Sequence, residues 1–312
     1  MIVRRGGPTL PSLLRPVSVT FGNFDGVHRG HQRIMRALRE QAGAQGSVVV
    51  VSFYPHPVSV VRGISIPRIF DLHENAAAFE RYGVDVLYLL HFSEPFSKLA
   101  PERFIHEYLL ARINADVVVT GPDARFGRSG AGDVSLLRSE LLKVGRRYLE
   151  VPFFEEGNER ISSRRVRELI VAGEVQKAAL LMGHPYRLRG RIQAGAGRGR
   201  TIGVPTANMR IARELVRPAY GVYASTLECE GTVYPAVTNI GVRPTVDGQH
   251  ETVESHVLGR SPGTLYGKSV RLALLAHLRA EQRFPSLEAL KTQIQVDIAE
   301  AQRILQAIGI MK

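Results

Sequence analysis

Four short, unbroken runs of apolar and β-branched residues govern what the first half of this chain can become. They are VSVTF at 17–21, VVVVSF at 48–53, VDVLYLL at 84–90 and DVVVT at 116–120. None alternates apolar with polar residues, so a strand built from any of them must be covered on both faces. Segments of helical spacing lie between them: 31–42 sets Ile34, Met35, Leu38 and Ala42 on one side, and 72–82, 101–112 and 133–144 follow. Buried strands alternating with helices predict a parallel sheet of the doubly wound α/β kind, here over residues 1–183.

The pattern changes after Gly183. Residues 184–312 carry YRLRGRI, YGVYASTLE, TVYPAVTNIG, ETVESHVL and KSVRLALLAHL, short β-like segments punctuated by Gly and Pro. They predict an antiparallel barrel or sandwich. A final helix follows, with Ser286 as N-cap and Leu287, Leu290, Ile294, Ile298, Ala301, Leu305 and Ile308 on one face, closing near Gly309.

Composition narrows the function classes. The formal net charge is +12, which suits anionic partners. Aromatics make up 7% with no Trp, so stacking on single-stranded nucleic acid has little support and nucleic acid is an unlikely partner. No apolar run reaches membrane-spanning length, and the one cysteine, Cys229, excludes an internal disulfide. Prolines and glycines interrupt the N-terminal segment, so the expectation is a cytoplasmic protein without a membrane partner.

The segment SVTFGNFDGVHRGH at 18–31 joins the first buried strand to a helix. A helix start offers free N–H groups and the positive end of a dipole, which favour an anion. His28 and His31 lie at the same point and can donate to phosphate oxygens, while Gly22 and Gly26 permit close approach. A zinc site would need a third ligand that the segment lacks, and a plain turn would not call for Asn, Asp and two His together. The other strand ends, FYPHP, HFSEPF and TGPDARFG, are similarly polar, so the site lies along one edge of the sheet. In the second half, GAGRGRTIGVPTANM at 195–209 can wrap phosphates, with Thr206 and Asn208 as oxygen ligands for Mg²⁺. On spacing alone, an exposed basic turn explains it equally well.

GNFDGVHRGH resembles the signature of H-x-G-H nucleotidyltransferases. With FYPHP, PERFIHEYLL, VVVTGPDARFG and ISSRRVREL in order, the chain is similar to the prokaryotic bifunctional riboflavin kinase/FMN adenylyltransferase (FAD synthetase) family. The resemblance extends through GRGRTIGVPTAN, NIGVRPT, ETVESHVL and LYGKSV. It implies a Rossmann-like nucleotidyltransferase domain, then a six-stranded antiparallel barrel with a C-terminal helix. It also implies two reactions, riboflavin to FMN and FMN to FAD, with ATP as co-substrate and Mg²⁺ in both. Gly22, Asn23, Asp25, His28, His31, Ser162, Ser163 and Arg167 would bind ATP in the first domain, with His28 and His31 catalytic and Asp123 and Arg125 on the FMN side. In the second, Gly197, Arg198, Gly199, Arg200, Gly203, Thr206 and Asn208 would bind ATP. Thr206 and Asn208 would hold the metal, Asn239, Arg243 and Glu254 would face the flavin, and Glu254 would be the general base.

The chain departs from the family pattern at Ala124, where an aromatic is usual, and at Asn75, Gly130 and Arg164. Two alternatives therefore stand beside the bifunctional reading. One is a riboflavin kinase with a degenerate or altered adenylyltransferase half. The other is a non-catalytic flavin- or nucleotide-binding regulator.

Overall fold

The computed structural model describes residues 1–7, 10, 12–156, 159–193, 204–245, 248–259 and 263–311; for residues 156, 243–245 and 248–250 only the backbone is described. Two compact units form: Met1–Pro67 with Leu72–Ser163, and Arg68–Asp71 with Arg164–Lys312.

The first unit is built on six parallel strands: β1 (Ile2–Arg5), β2 (Val17–Phe21), β3 (Ser47–Tyr54), β4 (Val86–His91), β5 (Val117–Thr120) and β6 (Arg147–Glu150). Their order across the sheet is β1-β4-β3-β2-β5-β6. Successive residues enter opposite cores, Val49 and Val51 with Phe104 and Leu109, Val48 and Val50 with Met35 and Leu38. Burial on both sides is why the sequence shows no alternation. The expected helix at 101–112 forms, but Phe104–Arg112 winds as a wider π-helix. From β2 the chain winds one way through β3 and β4, then returns to β5 and β6 on the other side. Winding therefore reverses between β2 and β5, where an open α/β sheet leaves a crevice at its carboxyl ends. A small ribbon, β7 (Glu155–Glu156) with β8 (Glu159–Arg160), completes the unit.

The second unit is a closed antiparallel barrel of β9 (Tyr186–Gln193), β10 (Ala207–Ile211), β11 (Gly221–Cys229), β12 (Thr232–Thr245), β13 (Gly248–Val257) and β14 (Ser269–Ala280), in the order β10-β13-β12-β11-β14-β9. Its interior holds Leu188, Tyr223, Leu227, Ile240, Val253 and Leu272. The C-terminal helix Leu287–Ala307 starts where expected, Ser286 Oγ accepting from Ala289 N at 3.1 Å. Ala301 and Leu305 pack on Val222, Ala224 and Val237, which point out of the barrel. Both faces of β11 are thereby buried, inward against the barrel core and outward against the helix.

Packing groups Arg164–Met182 with the barrel. Helices Ser163–Val171 and Val175–Met182 contribute Val166, Ile170, Ala178 and Met182 to the barrel-side core. Two residues from the first half join them: Ile69 and Phe70 are at most 1% exposed in that same core.

Candidate active sites

The crevice between β2 and β5 is a cavity of about 1090 Å³. Its floor is the turn after β2, whose backbone is unusual: Phe24 (φ 47°), Gly26 (φ 77°) and Val27 (φ 38°) are all left-handed. For the two non-glycine residues this costs on the order of 1–3 kcal/mol each, so the surroundings must hold the turn. Burying Phe24 and Val27 is part of that hold. The turn delivers His28 as N-cap of the helix Arg29–Ala42, its Nδ1 accepting from His31 N at 3.4 Å. Accepting there puts the ring proton of neutral His28 on Nε2.

His28 and His31 stack with ring centroids 3.6 Å apart. His31 Nδ1 is buried with no hydrogen-bond partner, an orphaned polar atom on the cavity wall. Burial, reinforced by His28 beside it, holds the His31 pKa well below the ordinary value of 6.5. The unfolded chain binds a proton near pH 6.5 that the folded chain refuses. Stability is therefore full above that pH and falls as pH drops toward the lowered folded value. His31→Gln should flatten this dependence. Denaturant midpoints of both proteins between pH 7.5 and about 5 check it, and parallel curves would contradict it.

Asn23, Ser162, Ser163, Asp123 and Arg125 also line the cavity, as do Gly22, Ala124 and Gly130. Asp123 is ion-paired to Arg160, whose guanidinium lies 3.6 Å from the Phe153 ring centre, and Arg125 sits 3.6 Å from Asp133. Two expected residues fall elsewhere. Asp25 is buried behind the turn, 5% exposed, and does not line the cavity. Arg167 lies in the helix Ser163–Val171, on the part that packs with the second unit. The sequence does not single out Arg62, Lys98, Arg128 or Arg160, which with Arg125 give the lining a strongly cationic character, Asp123 being its one carboxylate among the described residues. They come from the polar strand-end loops and the ribbon, so the loops were visible but not their cations.

The second cavity, about 420 Å³, lies on the outer barrel face beneath the C-terminal helix. Register builds it: Glu254 on β13 stands directly opposite Asn208 on β10 and Asn239 on β12. Opposed residues share a face, so the three form one row, while Val253 and Ser255 turn inward. Thr206, Asn239, Glu254 and His256 line the space. His256 donates from Nδ1 to the Pro205 carbonyl at 2.8 Å and so fixes the segment that presents Thr206. On the far side, Arg279 grips Asp297 with Nε–Oδ1 at 2.9 Å and Nη2–Oδ2 at 2.8 Å. Phe284, Leu290 and Ile294 supply an apolar wall. The expected helix stripe therefore divides: Leu290 and Ile294 face the cavity, Ala301 and Leu305 face the barrel, and Leu287 and Ile308 are exposed.

Removing Asp297 should be costly, because it strands a partly buried guanidinium. Asp297→Ala is expected to destabilise the second unit by about 3–5 kcal/mol. Chemical denaturation followed by a probe in the barrel checks this, and a change under about 1 kcal/mol would contradict it.

Gly197, Arg198, Gly199, Arg200 and Gly203 lie outside the described residues, as does the Arg243 side chain; the Arg243 backbone pairs with His250. Among the described residues no group of three or more His, Cys, Asp and Glu is placed to hold a metal ion by itself. Thr206 and Asn208 instead offer neutral oxygens, which fit a hard cation that takes its remaining ligands from phosphate.

Comparison with known proteins now bears on the two sites. A FAD synthetase family model matches residues 10–165 and a riboflavin kinase model matches 182–305. The bifunctional riboflavin kinase/FMN adenylyltransferase of Escherichia coli (strain K12) is 37% identical over 282 residues, covering 89% of this chain and 90% of the relative. The chain belongs to the bifunctional riboflavin kinase/FMN adenylyltransferase family. The Bacillus subtilis (strain 168) member is 33% identical over 91% of each chain. A solved structure from Streptococcus pneumoniae, described as a macrolide-efflux protein, shares 30% identity with a TM-score of 0.87 and covers 96% of this chain and 99% of that one. In this chain no described helix is long and apolar enough to cross a membrane. Each family model falls on one of the two cavities, the adenylyltransferase on the His28–His31 crevice and the kinase on the Glu254 row.

Proposed function

We propose that this chain converts riboflavin to FAD in two ATP-dependent steps, each completed within one unit. The observation that carries the reading is the Asn208–Glu254–Asn239 row on the barrel, in a chain that also sets two stacked histidines at the switch point of its sheet.

In the second unit, Glu254 takes the proton from the riboflavin 5′-hydroxyl as that oxygen attacks the γ-phosphorus of ATP. FMN forms and ADP leaves. The apolar wall of Phe284, Leu290 and Ile294 suits a flat flavin ring, with Asn239 on the flavin side; Arg243 joins it on sequence grounds alone. Thr206 and Asn208 would hold Mg²⁺, which when bound neutralises phosphate charge. Gly197, Arg198, Gly199, Arg200 and Gly203 enter as the phosphate loop on sequence grounds alone.

In the first unit, a phosphate oxygen of FMN attacks the α-phosphorus of ATP, and pyrophosphate leaves. No enzyme-bound intermediate is needed, so catalysis is placement plus stabilisation of developing negative charge. His28, His31, Asn23, Gly22, Ser162 and Ser163 hold the ATP phosphates, with Asp25 supporting them from behind the turn. Asp123 and Arg125 take the FMN side, and Arg62, Lys98 and Arg160 favour its entry.

The departures at Ala124 and Gly130 fall on the cavity wall. Arg164 pairs with Glu168 at 2.9 Å on an exposed helix face. We place both reactions in the cytoplasm, a compartment in keeping with a single, buried thiol. The test is ADP release with riboflavin and pyrophosphate release with FMN. Absence of both would overturn the proposal, and ADP release alone would leave a riboflavin kinase.

A further inference from the structure

The strained turn that carries the two histidines is gripped at four backbone positions by four side chains. Ser52 Oγ donates to the Asn23 carbonyl at 3.3 Å, and Ser163 Oγ donates to the Asp25 carbonyl at 2.8 Å. Asn75 Oδ1 accepts from Gly26 N at 3.2 Å, and Gln32 Nε2 donates to the Val27 carbonyl at 2.9 Å. Asn75 and Gln32 hold the two residues immediately before His28, the very pair with φ of 77° and 38°.

Both side chains are buried, Asn75 at 2% and Gln32 at 5% exposure, and neither lines the cavity. Asn75 comes from the helix Leu72–Arg81 and Gln32 from the first turn of Arg29–Ala42, so two different helices fix the same turn. An unheld loop of this conformation relaxes toward ordinary φ values, and His28 and His31 would move with it.

We infer that Asn75 and Gln32 are positioning residues for adenylyl transfer, which act by clamping the Gly26–Val27 turn so that His28 and His31 meet the ATP phosphates. The inference rests on the reading of this cavity as the adenylyltransferase site. A displacement of about 1 Å in a catalytic group can cost about 100-fold in rate. Ground-state binding of ATP draws on many other groups and is less sensitive.

The test uses the full-length protein with FMN, ATP and Mg²⁺, and measures FAD formation per folded molecule. Asn75→Ala and, separately, Gln32→Leu are each expected to lower kcat by about 10- to 100-fold. KM for ATP should stay within about threefold, and riboflavin phosphorylation in the same samples should be unchanged. Asn75→Leu, which keeps the buried volume, gives a second reading should the alanine variant fold poorly. Combining Asn75→Ala with Gln32→Leu should cost less than the product of the single effects, because both act through one turn. A kcat within about twofold of the unaltered protein in the folded variants would overturn the inference, as would a loss seen only in KM. Should the unaltered protein itself form no FAD from FMN, the reading of the cavity fails rather than the clamp.

Discussion

Glu254→Gln should abolish riboflavin phosphorylation, lowering kcat by about 10²- to 10⁴-fold, the range a positioned general base supplies. Gln keeps the shape of the side chain and its place opposite Asn208 and Asn239, so the row stays intact. What it loses is the carboxylate that accepts the hydroxyl proton. Adenylylation of supplied FMN by the same preparation should stay within about twofold, because the two chemistries share no residue. Separate assays with riboflavin and with FMN read both effects. Equal loss of both activities in a folded variant would contradict two independent sites.

His28→Ala should do the reverse. His28 is at once the N-cap of its helix, the ring stacked on His31, and a donor on the cavity wall. Removing one charge-stabilising donor from a preorganised site costs about 10²- to 10³-fold in kcat. Loss of the cap adds about 1 kcal/mol of instability to that unit. FAD formation from FMN should fall by that factor while phosphorylation of riboflavin continues. His28→Asn separates the two roles, since Asn also caps a helix: it should restore stability but not rate. Recovery of both by Asn would reduce His28 to a cap.

Much of this was legible in the sequence because it follows from local chemistry. Runs such as VVVVSF have only one comfortable home, a strand covered on both faces, so the parallel sheet and its polar carboxyl edge could be read directly. The histidine turn announced itself through Gly26 and the residues around it. The edge strands did not: β1 has every residue exposed and β6 lies at the other margin, so neither carries the buried signature. Ile69 and Phe70 look like ordinary apolar residues of the first half, and only three-dimensional packing commits them to the barrel-side core. Arg279 and Asp297 are far apart in sequence, and a charged residue inside an apolar helix stripe reads as a minor irregularity until its partner is seen. Asn75 and Gln32 were hidden likewise, because a clamp on a backbone leaves no pattern in the residues that make it.

The most direct test of the whole account is a time course from riboflavin alone, with ATP and Mg²⁺, following every flavin species. The account predicts that FMN rises first and then falls as FAD accumulates, with one ADP and one pyrophosphate released for each FAD formed. Folded protein that yields FMN and never FAD, or no new flavin at all, would contradict it.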